Sequence, residues 1–416
     1  MEFNLADLFE CVVDHVPERT AVVAGDRRIT YRELDERATR LGHAFRKLGV
    51  RVGDHIGCYL TNCPEYIETM LAAYKIRAVP VNVNYRYAAN ELAYLFDDAS
   101  LVAVVLGSQF ESVFAGARTP AIRSAIQVGG THGTHGPDEP DRYETVLAGM
   151  TATRDFPPRS ADDHYLLYTG GTTGLPKGVV WRQEDIFFAA LGGGNPGGPP
   201  ITDPAEIGPA AQRNRAQRVG AFLPPGDPGP DQFVALALGP LMHASGQWSA
   251  LGALLGGGTV VLYDEPHMDY GQVLQLIARE RVVALNIVGD TSARPMLDLL
   301  ETRPGGFDTS SLRLLGSGGS ILSRDVKERL LRAMPSVLAI VEGMGSSEVP
   351  AQAVALTTRD GVPPPTLSFA PKADTAVLDE DLRPVEPGSG EVGRLATRGR
   401  LPLGYHNDPD KTARTF

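Results

Sequence analysis

Hydrophobic and polar positions along the first part of the chain switch between two periods. Tyr31, Leu34, Ala38, Leu41, Phe45 and Leu48 recur at helical spacing, and Gly49 stands just past the end. Thr30 and Glu33 carry the spacing of a capping box at the start of that stripe. Short apolar runs at 55–60, 78–83 and 101–106 have strand length. Helix and strand signals in alternation predict an α/β fold, with mostly parallel strands and helices on both faces.

The same rhythm resumes further on. Residues 181–188 predict the start of a helix, and strands are predicted at 233–238, 259–263 and 283–288, with a helix over about 270–281. The run 312–315 reads as a strand leading into a glycine turn at 316–320, and a helix follows Ser323 and stops at Pro335. Such a strand, turn and helix offer free N–H groups at the helix entrance. A strand at 337–341 and strand-like stretches at 375–379 and 390–397 complete the pattern. The expected division is 1–165 for a first α/β subdomain, 166–345 for a second with a phosphate loop, and 346–416 for a small β-rich subdomain. Residues 192–230 are rich in Gly and Pro and too long for an ordinary connection. They read as a substrate-covering lid, partly disordered or not, or as a surface insertion.

Composition narrows the class. A chain of 416 residues can bury a large core, and 43% hydrophobic with 21% charged residues excludes a disordered chain. The net charge of −11, without any basic block, excludes a nucleic-acid footprint. Cys11, Cys58 and Cys63 form neither a disulfide framework nor a zinc pattern, and read as thiols in a reducing cytoplasm. The N-terminus carries acid where a signal peptide needs base. The longest apolar run, 250–263, is broken by Gly256-Gly257-Gly258 and is shorter than the ~20 residues of a spanning helix. A cytoplasmic protein without a transmembrane segment is expected; peripheral membrane contact and a homodimer stay open. His132, His135, Asp138, Glu139 and Asp141 sit among Gly, Thr and Pro that give no rigid element to aim metal ligands, so they read as a solvated loop.

The candidate chemistry centres on Tyr168-Thr169-Gly170-Gly171-Thr172-Thr173-Gly174-Leu175-Pro176-Lys177-Gly178. Its glycines let backbone N–H groups face an anion without an intervening Cβ. The threonines add neutral donors, and Lys177 adds a mobile positive charge. This is a phosphate cradle, and it is not a Walker A loop, because Pro176 precedes the lysine. Downstream, Pro240-Leu241-Met242-His243-Ala244-Ser245-Gly246 ends an apolar strand, where α/β sheets carry their sites.

These segments resemble the adenylate-forming superfamily, which includes acyl-CoA synthetases, firefly luciferase and the adenylation domains of peptide synthetases. The resemblance implies that Thr169, Gly170, Gly171, Thr172, Thr173, Gly174 and Lys177 hold the nucleotide phosphates, with Gly170 replacing the usual serine and its hydroxyl donor. It places His243 between the acyl pocket and the thiol channel, with Trp248 as a pocket wall. Gly318, Gly319 and Ser320 match a turn that lines the acyl tunnel and edges the adenine. Glu342, Gly343, Met344, Gly345 and Ser347 fall on the nucleotide segment; Met344 replaces a tyrosine that stacks on adenine, and Ser347 replaces a threonine that contacts carboxylate and phosphate. Glu348 matches the Mg²⁺ ligand, and the implied catalytic set is Lys177, His243, Ser347 and Glu348. The segment 404–412 matches a Gly-Tyr-x-x-x-Pro-x-x-Thr motif that closes the β-rich subdomain.

The implied reaction uses ATP, Mg²⁺ and coenzyme A. A carboxylic acid attacks the α-phosphorus of ATP to give an acyl-adenylate and pyrophosphate, and coenzyme A then takes the acyl group. Residues 168–188 are similar to actinobacterial ligases for long-chain or sterol side-chain acids. Relatives continue with a Thr-Gly-Asp motif and a mobile C-terminal domain of ~100 residues. The resemblance therefore implies a shortened chain that binds its ligands with little turnover. An acyl-AMP ligase that loads a carrier protein and a non-catalytic nucleotide or acyl binder are the alternatives.

Overall fold

The computed structural model of the chain describes residues 1–129, 141–171, 174–195, 199–213, 222–223, 229–265, 267–359, 361 and 368–416. Its strands are β1 (Thr20–Ala24), β2 (Arg27–Thr30), β3 (His55–Tyr59), β4 (Val79–Asn82), β5 (Leu101–Gly107), β6 (Ser124–Val128) and β7 (Asp141–Arg142). The hairpin β8 (His164–Gly171) and β9 (Gly174–Arg182) follows. Then come β10 (Val234–Ala237), β11 (Thr259–Leu262), β12 (Ala284–Ile287), β13 (Leu314–Gly318), β14 (Ala339–Met344), β15 (Ala353–Thr358) and β16 (Ala370–Pro371). A two-stranded pair, β17 (Thr375–Leu378) and β18 (Arg394–Thr397), precedes β19 (Gly404–Tyr405).

Two large sheets result. The first runs β19-β9-β8-β4-β3-β5-β6-β7, parallel from β8 to β7 and antiparallel at the β8, β9 and β19 edge. The second runs β16-β15-β14-β13-β12-β10-β11-β1-β2, parallel between β14 and β1. The expected α/β class is therefore present. Strand pairing divides the chain differently from 1–165, 166–345 and 346–416, because β1 and β2 join the second sheet while β8, β9 and β19 join the first. Sequence order does not reveal this, since register and neighbour choice are settled by which apolar faces meet.

The largest core lies between the sheets. It takes Ile56, Cys58, Ala103 and Val105 from one, Val22, Val260 and Leu262 from the other, and the helices Leu5–His15, Tyr31–Lys47, Pro64–Lys75 and Ala244–Leu255. The helix Tyr31–Lys47 follows its apolar stripe, and Thr30 and Glu33 complete the capping box. A second core packs the helices Tyr270–Glu280, Gly289–Thr302 and Arg324–Ala333 on the outer face of the second sheet. A third packs Ala89–Asp98 and Glu111–Ala117 on the outer face of the first.

Several local expectations shift. Residues 316–318 belong to β13 and not to a turn, which begins at Gly319 with φ +76°. Likewise β14 continues through Met344, and Trp181 and Arg182 end β9, so the following helix starts only at Gln183. Backbone pairing with neighbouring strands, parallel for β13 and both parallel and antiparallel for β14 but antiparallel for β9, extends these strands beyond their apolar runs. Within 192–230, the helix Ile207–Arg213 packs on Leu5–His15, with Gly208 so close to His15 that a Cβ would lie 2.2 Å from Nδ1. These described residues form a docked insertion. His132, His135, Asp138 and Glu139 lie outside the described residues.

Candidate active site

The parallel strands β10, β12, β13 and β14 end on one edge, and His243, Gly318 to Ser320 and Gly343 to Met344 lie at those strand ends. Gly318 and Gly343 are register partners on β13 and β14, and Met344, 38% exposed, ends β14. Gly319 and Ser320 follow as an exposed turn. His243 follows β10 and caps the helix Ala244–Leu255. The turn at 239–246 is tight enough that a Cβ on Gly246 would lie 2.3 Å from the Pro240 carbonyl oxygen. His243 is exposed on one side; crowding by protein, and then the charge of Arg86, push its imidazole below its ordinary value. The shift favours the neutral ring.

The phosphate loop is the tip of the β8–β9 hairpin. Thr169 pairs with Lys177 and Gly171 with Gly174 in register; Thr172 and Thr173 lie outside the described residues. Gly178 is required by packing, since a Cβ there would meet the Tyr168 ring and Leu166 at 2.9 Å. Among the described residues, a Cβ on Gly170 would meet only the Tyr87 hydroxyl, at 3.9 Å. Those residues therefore leave Gly170 room for the serine that the resemblance implies there.

Strand β9 brings the hairpin to the turn after β14. Lys177 Nζ donates to Glu348 Oε1 at 2.6 Å, and both side chains are largely shielded from water. Partial burial raises the Glu348 pKa, but hydrogen bonds from Lys177, Tyr405 and Ser346 outweigh it and hold the group at about 2. Desolvation pulls Lys177 down, and Glu348 and Tyr405 more than restore it, so its pKa is raised. Both groups are charged at neutral pH. Trp181, on the same face of β9, donates from Nε1 to the Ser347 carbonyl at 3.1 Å. Ser346 Oγ accepts from the N–H groups of Glu348 and Val349, and Gly345 leaves no space for a Cβ against the Pro350 carbonyl oxygen.

Two residues join these parts without having stood out in the sequence. Asn82, at the end of β4, donates to the carbonyls of Tyr168 and Met242, each at 2.7 Å, and accepts from Tyr168 N–H at 2.7 Å. It ties the hairpin to the His243 turn. Tyr405 on β19 reaches Lys177 and Glu348 from a strand paired to β9. Its Gly-Tyr-x-x-x-Pro-x-x-Thr motif was the available signal, though the motif pointed only to the closing of a subdomain.

Glu342 departs from its expected place at the nucleotide. Its carboxylate is buried and paired with Lys327 Nζ at 2.6 Å. On a strand, successive side chains take opposite faces, and Glu342 takes the one under the helix Arg324–Ala333. Trp248 lies half-buried and donates from Nε1 to the Tyr165 hydroxyl at 3.2 Å, beside Gln247, which accepts from Tyr165 at 2.6 Å. The first turns of the helix Ala244–Leu255 are thereby fixed against β8.

The Glu348 carboxylate is an anionic oxygen donor of the type that could hold a divalent cation, and one carboxylate suffices where substrate phosphates and water complete the shell. Among the described residues no group of three or more His, Cys, Asp or Glu side chains could hold a metal without such help. Nor is any described helix long and apolar enough to cross a membrane.

The family of AMP-binding enzymes matches residues 9–406. A 3-oxocholest-4-en-26-oate–CoA ligase of Rhodococcus rhodochrous is 38% identical over 100% of this chain and 73% of its own length. A medium-chain acyl-CoA ligase, Mig, of Mycobacterium avium is 37% identical over 100% of this chain and 75% of its own. Among solved structures, an anthranilate CoA ligase, AuaEII, in complex with anthranoyl-AMP superposes with a TM-score of 0.80 at 21% identity, covering 99% of this chain and 73% of that one. The N-terminal domain of FACL13 from Mycobacterium tuberculosis gives 0.77 at 21% identity over 99% of this chain and 93% of that one. The chain belongs to the AMP-binding enzyme family.

Proposed function

We propose that this chain is an ATP-dependent, AMP-forming acid–CoA ligase that activates bulky, mainly apolar carboxylic acids, of the medium- to long-chain or sterol side-chain class. The observation that carries the ligase reading is the meeting of Lys177, from the phosphate hairpin, with Glu348, from the end of the parallel sheet. A lysine and a carboxylate held charged at one edge supply a grip for phosphate and a ligand for Mg²⁺. The acid class follows from relatives whose names include sterol and fatty acids.

In this reading Thr169, the 170–174 backbone and Lys177 bind the phosphates. Glu348 holds Mg²⁺, which when bound offsets charge on the phosphates. Met344 covers the adenine, with Gly318, Gly319 and Ser320 along its edge. His243 and Trp248 border the acyl group. No side chain needs to act as a covalent nucleophile, so positioning and electrostatics do the work. The unpaired state of Cys11, Cys58 and Cys63 supports a cytoplasmic setting.

The test is acid-dependent exchange of labelled pyrophosphate into ATP, with acyl-CoA formation, across acids from short chains to sterol side chains. Preference for long or sterol acids is expected. Turnover of short acids alone would overturn the acid class, and absence of acyl-CoA alongside transfer to a carrier protein would overturn the coenzyme A acceptor.

A further inference from the structure

Tyr405 lies far from the phosphate hairpin in sequence, yet its phenol closes a ring with two residues of the site. Its O–H donates to Glu348 Oε1 at 2.6 Å, and Lys177 Nζ donates to its oxygen at 3.0 Å. Lys177 Nζ also donates to the same Oε1 at 2.6 Å and sits 4.4 Å from the centre of the Tyr405 ring. The phenol is held in place. Gly404 and Tyr405 pair with Val180 and Val179, and Tyr405 N–H donates to Thr412 Oγ1 at 2.9 Å. Thr412 Oγ1 in turn donates to the Asp408 carbonyl at 2.7 Å. Gly404 must be glycine here: its φ is +142°, and a Cβ would lie 2.5 Å from Thr412 Cγ2.

The direct ion pair competes with both expected ligands. A phosphate draws on the Lys177 ammonium, and a divalent cation draws on the Glu348 carboxylate, so the pair must loosen when both bind. A phenol is uncharged and both donates and accepts at one oxygen. It can keep Glu348 oriented through its O–H while the ammonium turns toward an anion, and its ring face holds the ammonium nearby. We infer that Tyr405 is a positioning residue for metal–nucleotide binding, aiming Glu348 at the divalent cation and keeping Lys177 within reach of phosphate. The inference rests on the roles given to Lys177 and Glu348 under the proposed function.

Calorimetric titration of the chain with α,β-methylene-ATP, with and without Mg²⁺, separates the two. Lys177→Met and Glu348→Gln examine the underlying reading: both should weaken binding in the presence of Mg²⁺. Absence of binding by the unmodified chain, or unchanged binding in both variants, would overturn that reading. Tyr405→Phe keeps the ring and removes the hydroxyl. It should bind about 10- to 100-fold more weakly with Mg²⁺, as expected for a lost hydrogen bond to a charged group. Binding without Mg²⁺ and the thermal midpoint should change little. Thr412→Val, which frees the Tyr405 backbone but keeps the phenol, should give a smaller loss of the same Mg²⁺-dependent kind. Equal weakening with and without Mg²⁺, or a full Mg²⁺ enhancement in Tyr405→Phe when Glu348→Gln has lost it, would overturn the positioning role.

Discussion

Glu348 carries the strongest electrostatic signature of the site, and its consequence is a pH dependence with a fixed sign. Its folded pKa of about 2 lies below its ordinary 4.5. Its stabilising contribution is therefore complete above about pH 4.5 and is lost as pH falls toward 2. Glu348→Gln should show a shallower loss of stability across that window, measured by urea unfolding at stepped pH; an unchanged slope would mean the pair contributes nothing. Met344 gives a second residue-scale expectation. It stands exposed at the end of β14, where the resemblance noted in the sequence implies an aromatic ring, and a thioether offers less planar overlap than a phenol. Met344→Tyr should tighten ATP binding by about 2- to 10-fold, the range of one ring-stacking contact, measured by calorimetry.

At the scale of elements, two turns set where the chemistry stands. The 239–246 turn is closed by Gly246, whose position has no room for a Cβ. Gly246→Ala should destabilise the fold by about 1–3 kcal/mol and displace His243, measured by chemical denaturation and by affinity for an acyl-adenylate analogue. The helix Tyr31–Lys47 is a contrasting case, far from the site. Thr30→Ala removes its capping box and should lower stability by about 1 kcal/mol while leaving ATP binding unchanged. Both elements were legible in the sequence, one from its motif and one from its periodicity. The extension of β13 and β14 through glycine-rich residues was not, because backbone pairing with a parallel neighbour carries no side-chain period of its own.

At the scale of the whole molecule, the site depends on the two sheets being held together. Asn82 does this with three hydrogen bonds that join β4, β8 and the His243 turn. Asn82→Ala would leave those buried backbone groups unpaired and should cost about 3 kcal/mol or more, with weaker nucleotide and acyl binding together. Loss of stability alone, with both affinities intact, would confine Asn82 to the core.

The sequence by itself determined the α/β class, the helices near 31–47, 270–280 and 324–333 and the residues of the phosphate loop, and through the family its motifs resemble it implied the candidate roles of Lys177, His243 and Glu348. These follow from local periodicity, caps and contiguous motifs, each contained within one stretch of chain. Tertiary structure alone decided that β1 and β2 join the second sheet, that Glu342 turns away to pair with Lys327, and that Asn82 and Tyr405 belong to the site. Each of those outcomes joins residues distant in sequence. Such contacts are chosen by which apolar faces pack and which buried polar groups find partners, and no spacing along the chain records that choice.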